Sequence, residues 1–478
     1  MRRCFSSPSP VIASPDPAPR PRRRRVVALA AGLGAALFAA LVLRPAPPAA
    51  APLPPAPGMP TAEQTLAKIP APAGASATDQ ALGIALGKVR EKPAEATGWV
   101  NLGDALAQEQ RDTASEKFYD HAEAAYASAL RLNPRSVDAM TGLAWVTGGR
   151  HLFDQSQDWA NRALALDAEN AAAHGLLGDA AVELGDYEAA YEHYQKMMDA
   201  KPDLSSWSRG AHLLWLTGDS KKAAWLMEKA LKAGAPFAEN TAWCRAKLAL
   251  MLFQQGALIS AAQVLEPPLR AATKNTHVLL AAGRIAAARE DFPAAEKYFQ
   301  TVLAEGPNHD ALAALGDLRA AQGDPAAAEE FYVKVEALDA AQVAQAGHSH
   351  AGMARFYADH DRHLIEALRL AEARKLTRNV HEADTLAWVY YKSGDQPRAI
   401  EAIKRALSQH TQDAEIHFHA GMIAAKFGDR VSAQNHLQQA LSLNPHFSLL
   451  QAPIAVATLA QLGSQPQTTA AVEAATPP

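Results

Sequence analysis

The sequence is poor in cysteine and in aromatic residues. Its 478 residues include two cysteines, Cys4 and Cys244, and aromatic residues make up 6% of the chain. The two cysteines fall on opposite sides of the membrane span predicted below, so no disulfide framework supports the fold. Alanine, leucine, glutamate, glutamine and arginine are prominent instead, and these helix formers predict an all-α protein. We expect Cys244 to be a small buried residue.

The common signatures of catalysis are also missing from the sequence. It contains no glycine-rich phosphate-binding loop, no HExxH metal motif and no GxSxG nucleophile elbow. Acidic residues such as Glu296, Asp317 and Glu329 are spread along predicted helix faces, where carboxylates most often act as solvated charges. We therefore predict that the chain is not an enzyme and carries no cofactor.

Charge is distributed unevenly along the chain. The first 60 residues hold eight arginines and one aspartate, a net charge of +7, which leaves −11 for the rest of a chain whose total is −4. Nucleic-acid binding requires a basic surface that neutralises phosphates, so the acidic body argues against nucleic acid as a partner. The basic segment 1–25 needs another role, and the segment that follows it supplies one.

Residues 26–43, VVALAAGLGAALFAALVL, are an uncharged apolar run. As a helix the run would be about 27 Å long, close to the thickness of the hydrocarbon layer of a bilayer. The arginines before it predict that 1–25 is a cytoplasmic tail and that everything after Arg44 lies outside the cytoplasm. We predict a single-pass protein of a bacterial inner membrane. A cleavable signal peptide is the alternative interpretation of the same run.

Two segments are predicted to lack a core of their own. Residues 44–75 begin with RPAPPAAAPLPPAPGMP, a composition that favours extended polyproline II and acts as a spacer. Residues 464–478 are polar and rich in alanine and threonine, which predicts a disordered tail. The linker would hold the body of the protein away from the bilayer.

Between these ends the sequence repeats. Units 171–202 and 414–445 align without gaps, with glycine at position eight, alanine at position twenty and proline at position thirty-two. A Gly-Asp pair divides each unit, because glycine can adopt the left-handed conformation that ends a helix. Copies in the same register begin at Thr276, His309 and Val380, and weaker copies begin at Val137, Leu204 and Ala242.

This spacing resembles the tetratricopeptide repeat, whose 34-residue pattern places W-x2-L-G early, A-x3-F later and proline last. The first copy carries Trp99, Leu102 and Gly103 of that pattern. The resemblance implies an all-α superhelix, or α-solenoid, of about ten helix-turn-helix units over residues 76–446. We expect residues 447–463 to form a capping helix.

The resemblance also implies a binding surface. In this family the first helix of each unit lines a concave groove, which positions two, five, nine, twelve and thirteen face. Aromatic anchors beside charged residues are what a peptide-binding surface requires. On this chain the register predicts these groove residues: His212, Trp215, Trp243, Leu250, Phe253, His277, Arg284, Asp317, Trp388, Tyr391, Lys392, Phe418, Met422 and Lys426.

Histidines are frequent in the C-terminal part of the chain. They occur in HSH (348–350), in the pair His360 and His363, and in the pair His417 and His419. An i, i+3 pair can share a helix face, whereas an i, i+2 pair points to different faces. None of these groups has the spacing of a recognised zinc site, so we predict solvated or capping histidines and no metal site. A metal-handling role for these histidines is the alternative.

Taken together, these features predict a non-catalytic scaffold that is anchored in the membrane. Its groove is expected to bind protein or peptide partners of the cell envelope. A structural spacer that assembles with itself is a further alternative, and the sequence leaves the oligomeric state open.

Overall fold

The computed structural model describes residues 62–464 apart from 70, 73, 75, 114, 235–237 and 375–377. This part of the chain contains 23 helices and no strand, so the predicted all-α repeat solenoid is confirmed. The predicted cytoplasmic tail, membrane span and C-terminal tail lie outside the described residues, apart from Ser464. Among the helices that are described, none is both long enough and apolar enough to cross a bilayer.

Two leading helices, ten helix pairs and one final helix make up this fold. The leading helices are α1 (Ala62–Lys68), which falls within the segment predicted as linker, and α2 (Ala77–Glu91). The final helix, α23, spans Gln451–Ser464. The pairs between them are α3 (Ala96–Thr113) with α4 (Lys117–Leu132), α5 (Val137–Gly149) with α6 (Phe153–Leu166), α7 (Ala171–Leu184) with α8 (Tyr187–Ala200), α9 (Leu204–Leu216) with α10 (Ser220–Ala233), α11 (Ala238–Gln254) with α12 (Leu258–Arg270), α13 (Thr276–Ala288) with α14 (Phe292–Glu305), α15 (His309–Ala321) with α16 (Pro325–Ala346), α17 (Met353–Asp359) with α18 (Leu364–Ala373), α19 (Val380–Lys392) with α20 (Gln396–Leu407), and α21 (Ala414–Lys426) with α22 (Arg430–Leu443).

The pair α7 and α8 shows how the sequence builds one unit. Asn170 caps α7 by accepting a hydrogen bond from the backbone N–H of Ala173. Gly185 then ends α7 in the left-handed conformation, with φ at 76°. Asp186 follows at once and caps α8 by accepting from the N–H of Ala189. Each cap satisfies backbone groups that a helix end leaves unpaired, so the Gly-Asp pair both stops one helix and starts the next.

Glycine at position eight sets how closely the two helices of a pair approach. A Cβ on Gly178 would overlap the ring of Tyr194, and a Cβ on Gly316 would overlap the ring of Tyr332. The Tyr194 hydroxyl donates a hydrogen bond of 2.8 Å to the carboxylate of Asp179, which lies on the partner helix. A ring at position twenty-four therefore fills the space that the missing Cβ leaves.

The helix lengths depart from the regular pattern at α16 and α17. Helix α16 is 22 residues long, whereas α17 after it has only seven. The carboxylate of Asp339, on the extended part of α16, accepts a hydrogen bond of 2.7 Å from the backbone N–H of His350. The sequence repeat is weakest here because α16 is lengthened and α17 is shortened, so the usual spacing of residues is lost.

The later repeats pack against the earlier ones. Asn379 donates to the Glu183 side chain at 2.7 Å, the N–H of Val380 donates to the Tyr187 hydroxyl at 2.8 Å, and Asn444 donates to the carbonyl of Phe253 at 2.9 Å. These contacts join residues that lie 196, 193 and 191 positions apart in sequence. A nearly constant separation means that the solenoid completes a superhelical turn in this number of residues.

The hydrophobic core also joins the two superhelical turns. One cluster of buried residues includes Leu213 and Leu216 of α9 together with Trp388 of α19 and Phe418 of α21. In an open solenoid each repeat contacts only its neighbours. Here the inner face of the first turn is covered in part by the second turn, which decides which groove residues remain accessible.

Candidate protein-binding groove

Aromatic rings of α19 and α21 occupy the centre of the inner face. Trp388 stacks on Tyr391 with ring centroids 4.7 Å apart and on His419 at 4.1 Å. Phe418 meets Trp388 at 5.7 Å, and the ammonium of Lys392 lies 5.0 Å from the centroid of the Trp388 ring. The register thus brings the predicted aromatic residues together. Trp388 and Phe418 are buried, however, so in this conformation they belong to the core.

A buried ionic cluster lies next to these rings. Arg355 donates hydrogen bonds to Asp359 at 2.9 Å and to Asp384 at 2.8 Å, and it pairs with Glu415 at 2.9 Å. On its other side Asp384 contacts Nδ1 of His419 at 2.8 Å. Buried charges are tolerated only when they are paired in this way, so the cluster fixes α17, α19 and α21 relative to one another.

The electrostatics of the cluster follow from these contacts. Burial by itself raises the pKa of the Asp384 carboxyl, but His419 and Arg355 outweigh it and the net shift is downward. For Glu415, burial is likewise outweighed, chiefly by Arg355, and the pKa is lowered. The carboxyl of Asp413, in contrast, has its pKa raised by burial. Asp384 is therefore held as an anion at neutral pH.

Basic groups of the first superhelical turn face this cluster. Burial, together with the nearby Lys247 and His381, lowers the pKa of His212 to about 3. Burial and the neighbouring Arg284 also lower the pKa of Lys247. Because His212, Lys247 and Arg284 lie on α9, α11 and α13, whereas His381 lies on α19, the two turns bring their polar inner faces together.

A cavity of about 160 Å³ opens between the two turns. Gln451 donates to Asp359 at 2.8 Å, and its buried carbonyl Oε1 has no hydrogen-bond partner among the described residues. The wall therefore combines aromatic surface with charged groups and one unsatisfied acceptor. The lining includes Phe253, Phe299 and Phe447 as aromatic residues and Arg284, Asp317, Asp359, His360 and Glu415 as titratable ones.

Two lysines stand at the edge of the aromatic cluster. Lys392 pairs with Asp361 at 2.8 Å. Lys426 donates to the backbone carbonyl of Tyr391 at 3.1 Å and lies 4.5 Å from the centroid of its ring. Cations over aromatic faces are attracted by the ring quadrupole, so Lys426 helps to hold the Tyr391 ring in place.

Burial divides the predicted groove residues into three groups. Their role in binding a partner stays a prediction, and only residues with exposed surface could contact a partner without rearrangement. The buried ones are Trp215, Phe253, Trp388 and Phe418. The half-buried ones are His212, Trp243, Leu250, Asp317, Tyr391, Lys392 and Met422. The exposed ones are His277, Arg284 and Lys426.

Sequence reasoning missed several residues of the inner face. His381 and Asp384 occupy positions two and five of their unit, so the same register could have found them. Arg355 lies in the irregular pair, where no register is readable. The proximity of His381 to His212 has no sequence signal at all, because it depends on the closure of the superhelix.

The C-terminal histidines are placed individually rather than as one group. His360 contacts Asp317 at 2.7 Å, and His348 contacts Glu116 at 3.0 Å. His419 is fully buried against Asp384, which corrects the expectation that these histidines are solvated or capping. Across the described part of the chain, no set of three or more histidine, cysteine or acidic side chains could hold a metal ion.

An aromatic pocket of about 280 Å³ lies on the opposite, outer side of the solenoid. Tyr191 and Trp225, on the second helices α8 and α10, are 58% and 54% exposed. The ammonium of Lys229 lies 4.1 Å from the Trp225 ring and 5.7 Å from the Trp207 ring. Large exposed aromatic residues around a pocket are unusual on a protein surface and make this the second candidate contact surface.

Comparison with known proteins agrees with the helix pairs described above. The tetratricopeptide repeat family model matches residues 149–205, 280–346 and 385–445. In these three segments the chain matches the tetratricopeptide repeat. The three matched segments cover α6 to α8, most of α13 to α16, and α19 to α22, which places repeats in both superhelical turns. No curated protein sequence matches the chain.

Several solved structures are similar to this chain. PilF of Pseudomonas aeruginosa is 20% identical, with 45% of this chain and 92% of PilF covered at a TM-score of 0.34. PilW, a type IV pilus biogenesis factor, is 19% identical, with 42% and 92% covered at 0.36. A human IFIT1 dimer with m7Gppp-AAAA is 17% identical, with 70% and 76% covered at 0.46. At these identities and scores the likeness says nothing about function.

Proposed function

We propose that the chain is a non-catalytic scaffold that binds protein or peptide partners of the bacterial cell envelope. Residues 26–43 would anchor it in the inner membrane, with the tetratricopeptide repeats outside the cytoplasm. Repeats of this kind stack into extended concave surfaces that recognise other chains. The proposal for the anchor rests on the apolar run and the arginines before it.

The observation that carries the proposal is the cavity between the two turns. Phe253 and Phe447 provide apolar wall, and Arg284 and Glu415 provide charge beside it. Binding sites typically combine an apolar lining with a few polar groups that fix orientation. A volume of about 160 Å³ suits one or two side chains of a bound segment rather than a complete small molecule.

The burial of His419 and Asp384 does not favour a catalytic function. His419 and Asp384 are packed beneath Trp388 and paired with Arg355, so a substrate could not reach them without opening the superhelix. A catalytic base must lie within hydrogen-bond reach of the proton it removes. The arrangement supports a structural role for this pair.

Site-specific photocrosslinking in intact cells would test the proposal. A photoreactive phenylalanine replaces the exposed Arg284 beside the cavity. The matched control replaces Ile365, which is 89% exposed on the second helix α18. We expect one defined protein to be crosslinked from position 284 and not from position 365.

Each alternative gives a different result in this experiment. Crosslinks from 365 and not from 284 would move the contact surface away from the groove. Crosslinks only to a second copy of the chain would support the self-assembling spacer. A reporter that is active only outside the cytoplasm, fused after Pro478, tests the orientation separately, and its inactivity would reverse the proposed topology.

A further inference from the structure

Two pairs of histidines join the two helices of a repeat in the same way. Nδ1 of His174 on α7 lies 3.0 Å from Nδ1 of His193 on α8. Nδ1 of His417 on α21 lies 3.1 Å from Nδ1 of His436 on α22. Ring centroids are 5.3 Å apart in the first pair and 5.4 Å apart in the second. The two arrangements are equivalent, because both pairs occupy positions four and twenty-three of their units.

Most other repeats with a readable register have apolar residues at these two positions. Leu279 and Tyr298 take them in the unit that begins with α13, and both belong to one hydrophobic cluster. Two units have histidine at both positions. No unit with a readable register has histidine at only one of them. Apolar packing therefore does not explain why imidazole nitrogens face each other here.

The hydrogen bonds around His174 leave its Nδ1 without a proton, so this nitrogen accepts a hydrogen bond from Nδ1–H of His193, and a metal ion would take the place of that proton. Nε2 of His174 lies 3.2 Å from the carbonyl oxygen of Ala168, so Nε2 carries the proton and donates it. His417 makes a backbone hydrogen bond at Thr411, which also precedes its histidine by six residues. A hydrogen bond from one ring nitrogen to a carbonyl is the usual support for a histidine that binds metal through the other nitrogen.

The nitrogen separation suits two ligands of one metal ion. With metal–nitrogen bonds of about 2.0–2.1 Å, two nitrogens are about 2.9 Å apart at a right angle and about 3.3 Å apart at a tetrahedral angle. The observed separations of 3.0 and 3.1 Å lie between these values. Neutral imidazoles at adjacent positions are the ligands that Cu²⁺ and Ni²⁺ take in square-planar sites.

An aspartate begins the second helix of each unit. Asp186 and Asp429 cap the second helices of the two units and lie seven residues before the second histidine. Both units therefore place a carboxylate at the same position relative to the second histidine.

We propose that His174 with His193, and His417 with His436, are two equivalent binding sites for a divalent transition-metal ion, with Cu²⁺ as the preferred ion. Each site offers two protein nitrogens, and water completes the coordination. Cu²⁺ is preferred because affinity for nitrogen ligands rises through the first-row divalent ions to copper. With only two protein ligands, the ions exchange readily with the solution.

Titration of the full chain with Cu²⁺ tests the proposal, followed by calorimetry and by electron paramagnetic resonance. We expect two equivalents bound with the same affinity, each with nitrogen hyperfine coupling from two imidazoles. His193→Gln or His436→Gln should each remove one equivalent, and the double variant should remove both. Loss of a ligand should weaken binding by more than the about 10–100-fold typical for loss of an outer-shell partner.

Two further variants make the result decisive. His174→Leu with His193→Tyr recreates the apolar pair found at Leu279 and Tyr298, so it should fold normally and bind one equivalent less. His277→Gln removes an exposed histidine outside the pairs and should leave both equivalents. Unchanged copper binding in the double variant, or a full chain that binds no Cu²⁺ with two-imidazole coupling, would overturn the proposal.

Discussion

Glycines that end the first helices of repeats have the same backbone conformation in both superhelical turns but different surroundings. Gly218 and Gly394 have φ angles of 85° and 80°. A Cβ on Gly218 would overlap the carbonyl oxygen of His410, whereas a Cβ on Gly394 would meet nothing within 4 Å. Gly185 and Gly256 resemble Gly218, because a Cβ there would lie 2.8 Å from the oxygen of Arg378 and 3.0 Å from that of Leu443.

Glycine at the end of a first helix therefore serves two purposes. In the second turn, at Gly323, Gly394 and Gly428, glycine only supplies the left-handed conformation of the turn. In the first turn it also lets the backbone of the second turn approach. Closure of the superhelix therefore depends on glycines that the repeat pattern would require in any case.

The largest expected effect comes from Gly218→Ala compared with Gly394→Ala. Both place a Cβ on a left-handed residue, which costs about 1 kcal/mol. Only Gly218→Ala also forces backbone apart at His410, so we expect it to lower the free energy of unfolding by roughly 3 kcal/mol or more. Chemical denaturation of the two variants beside the parent chain measures this. An equal loss of unfolding free energy in both variants would show that the two turns do not touch at this point.

Asn444→Ala compared with Asn133→Ala removes a different contact between the turns. Both asparagines precede a proline, and both accept from a backbone N–H two residues later, at 2.9 and 3.1 Å. Only Asn444 also donates across the turns, to the carbonyl of Phe253. The carbonyl of Phe253 also accepts from the N–H of Gly256 at 2.8 Å and stays satisfied, so we expect Asn444→Ala to lower the free energy of unfolding by about 1 kcal/mol more than Asn133→Ala, the net contribution of one hydrogen bond. A loss at Asn133 as large as that at Asn444 would contradict the cross-turn bond.

Acid should weaken the contact between the turns by a smaller amount. The pKa of His212 is lowered to about 3 in the folded chain, whereas an unfolded histidine titrates near 6.5. The unfolded state therefore binds more protons in this range, and stability present above about pH 6.5 is lost as the pH falls towards 3. The variant His212→Gln should show a shallower fall in melting temperature between pH 7 and pH 4. Identical pH profiles for variant and parent would exclude His212 as the group responsible.

The local fold could be read from the sequence, and the closure could not. Gly178, Ala190 and Pro202 have spacings that only helix pairs satisfy, so the pairs and their register follow from local chemistry. The proximity of His381 to His212 follows from the pitch of the whole superhelix, to which every repeat adds a small rotation. No single residue encodes that pitch, and for this reason Trp388 and Phe418 were predicted in an open groove and lie in the core.

The contacts of the histidines could not be predicted from the sequence either. His417 and His419 were considered as one pair because they are close in sequence. The structure places them on different faces, one against His436 and the other against Asp384. Partners nineteen residues away become visible only once the two helices of a repeat are paired.

Closure of the superhelix is the central claim, and a crosslink across the two turns tests it most directly. Nε2 of His348 lies 3.0 Å from the carboxylate of Glu116, and the side chains of Glu116 and His348 are 53% and 56% exposed. Glu116→Cys with His348→Cys, in a chain whose native cysteines are replaced, should be joined within one molecule by a short bismaleimide. Either single variant should give no such product. If the double variant also gives none while both thiols react with a monofunctional maleimide, the solenoid is open and the account of the groove is wrong.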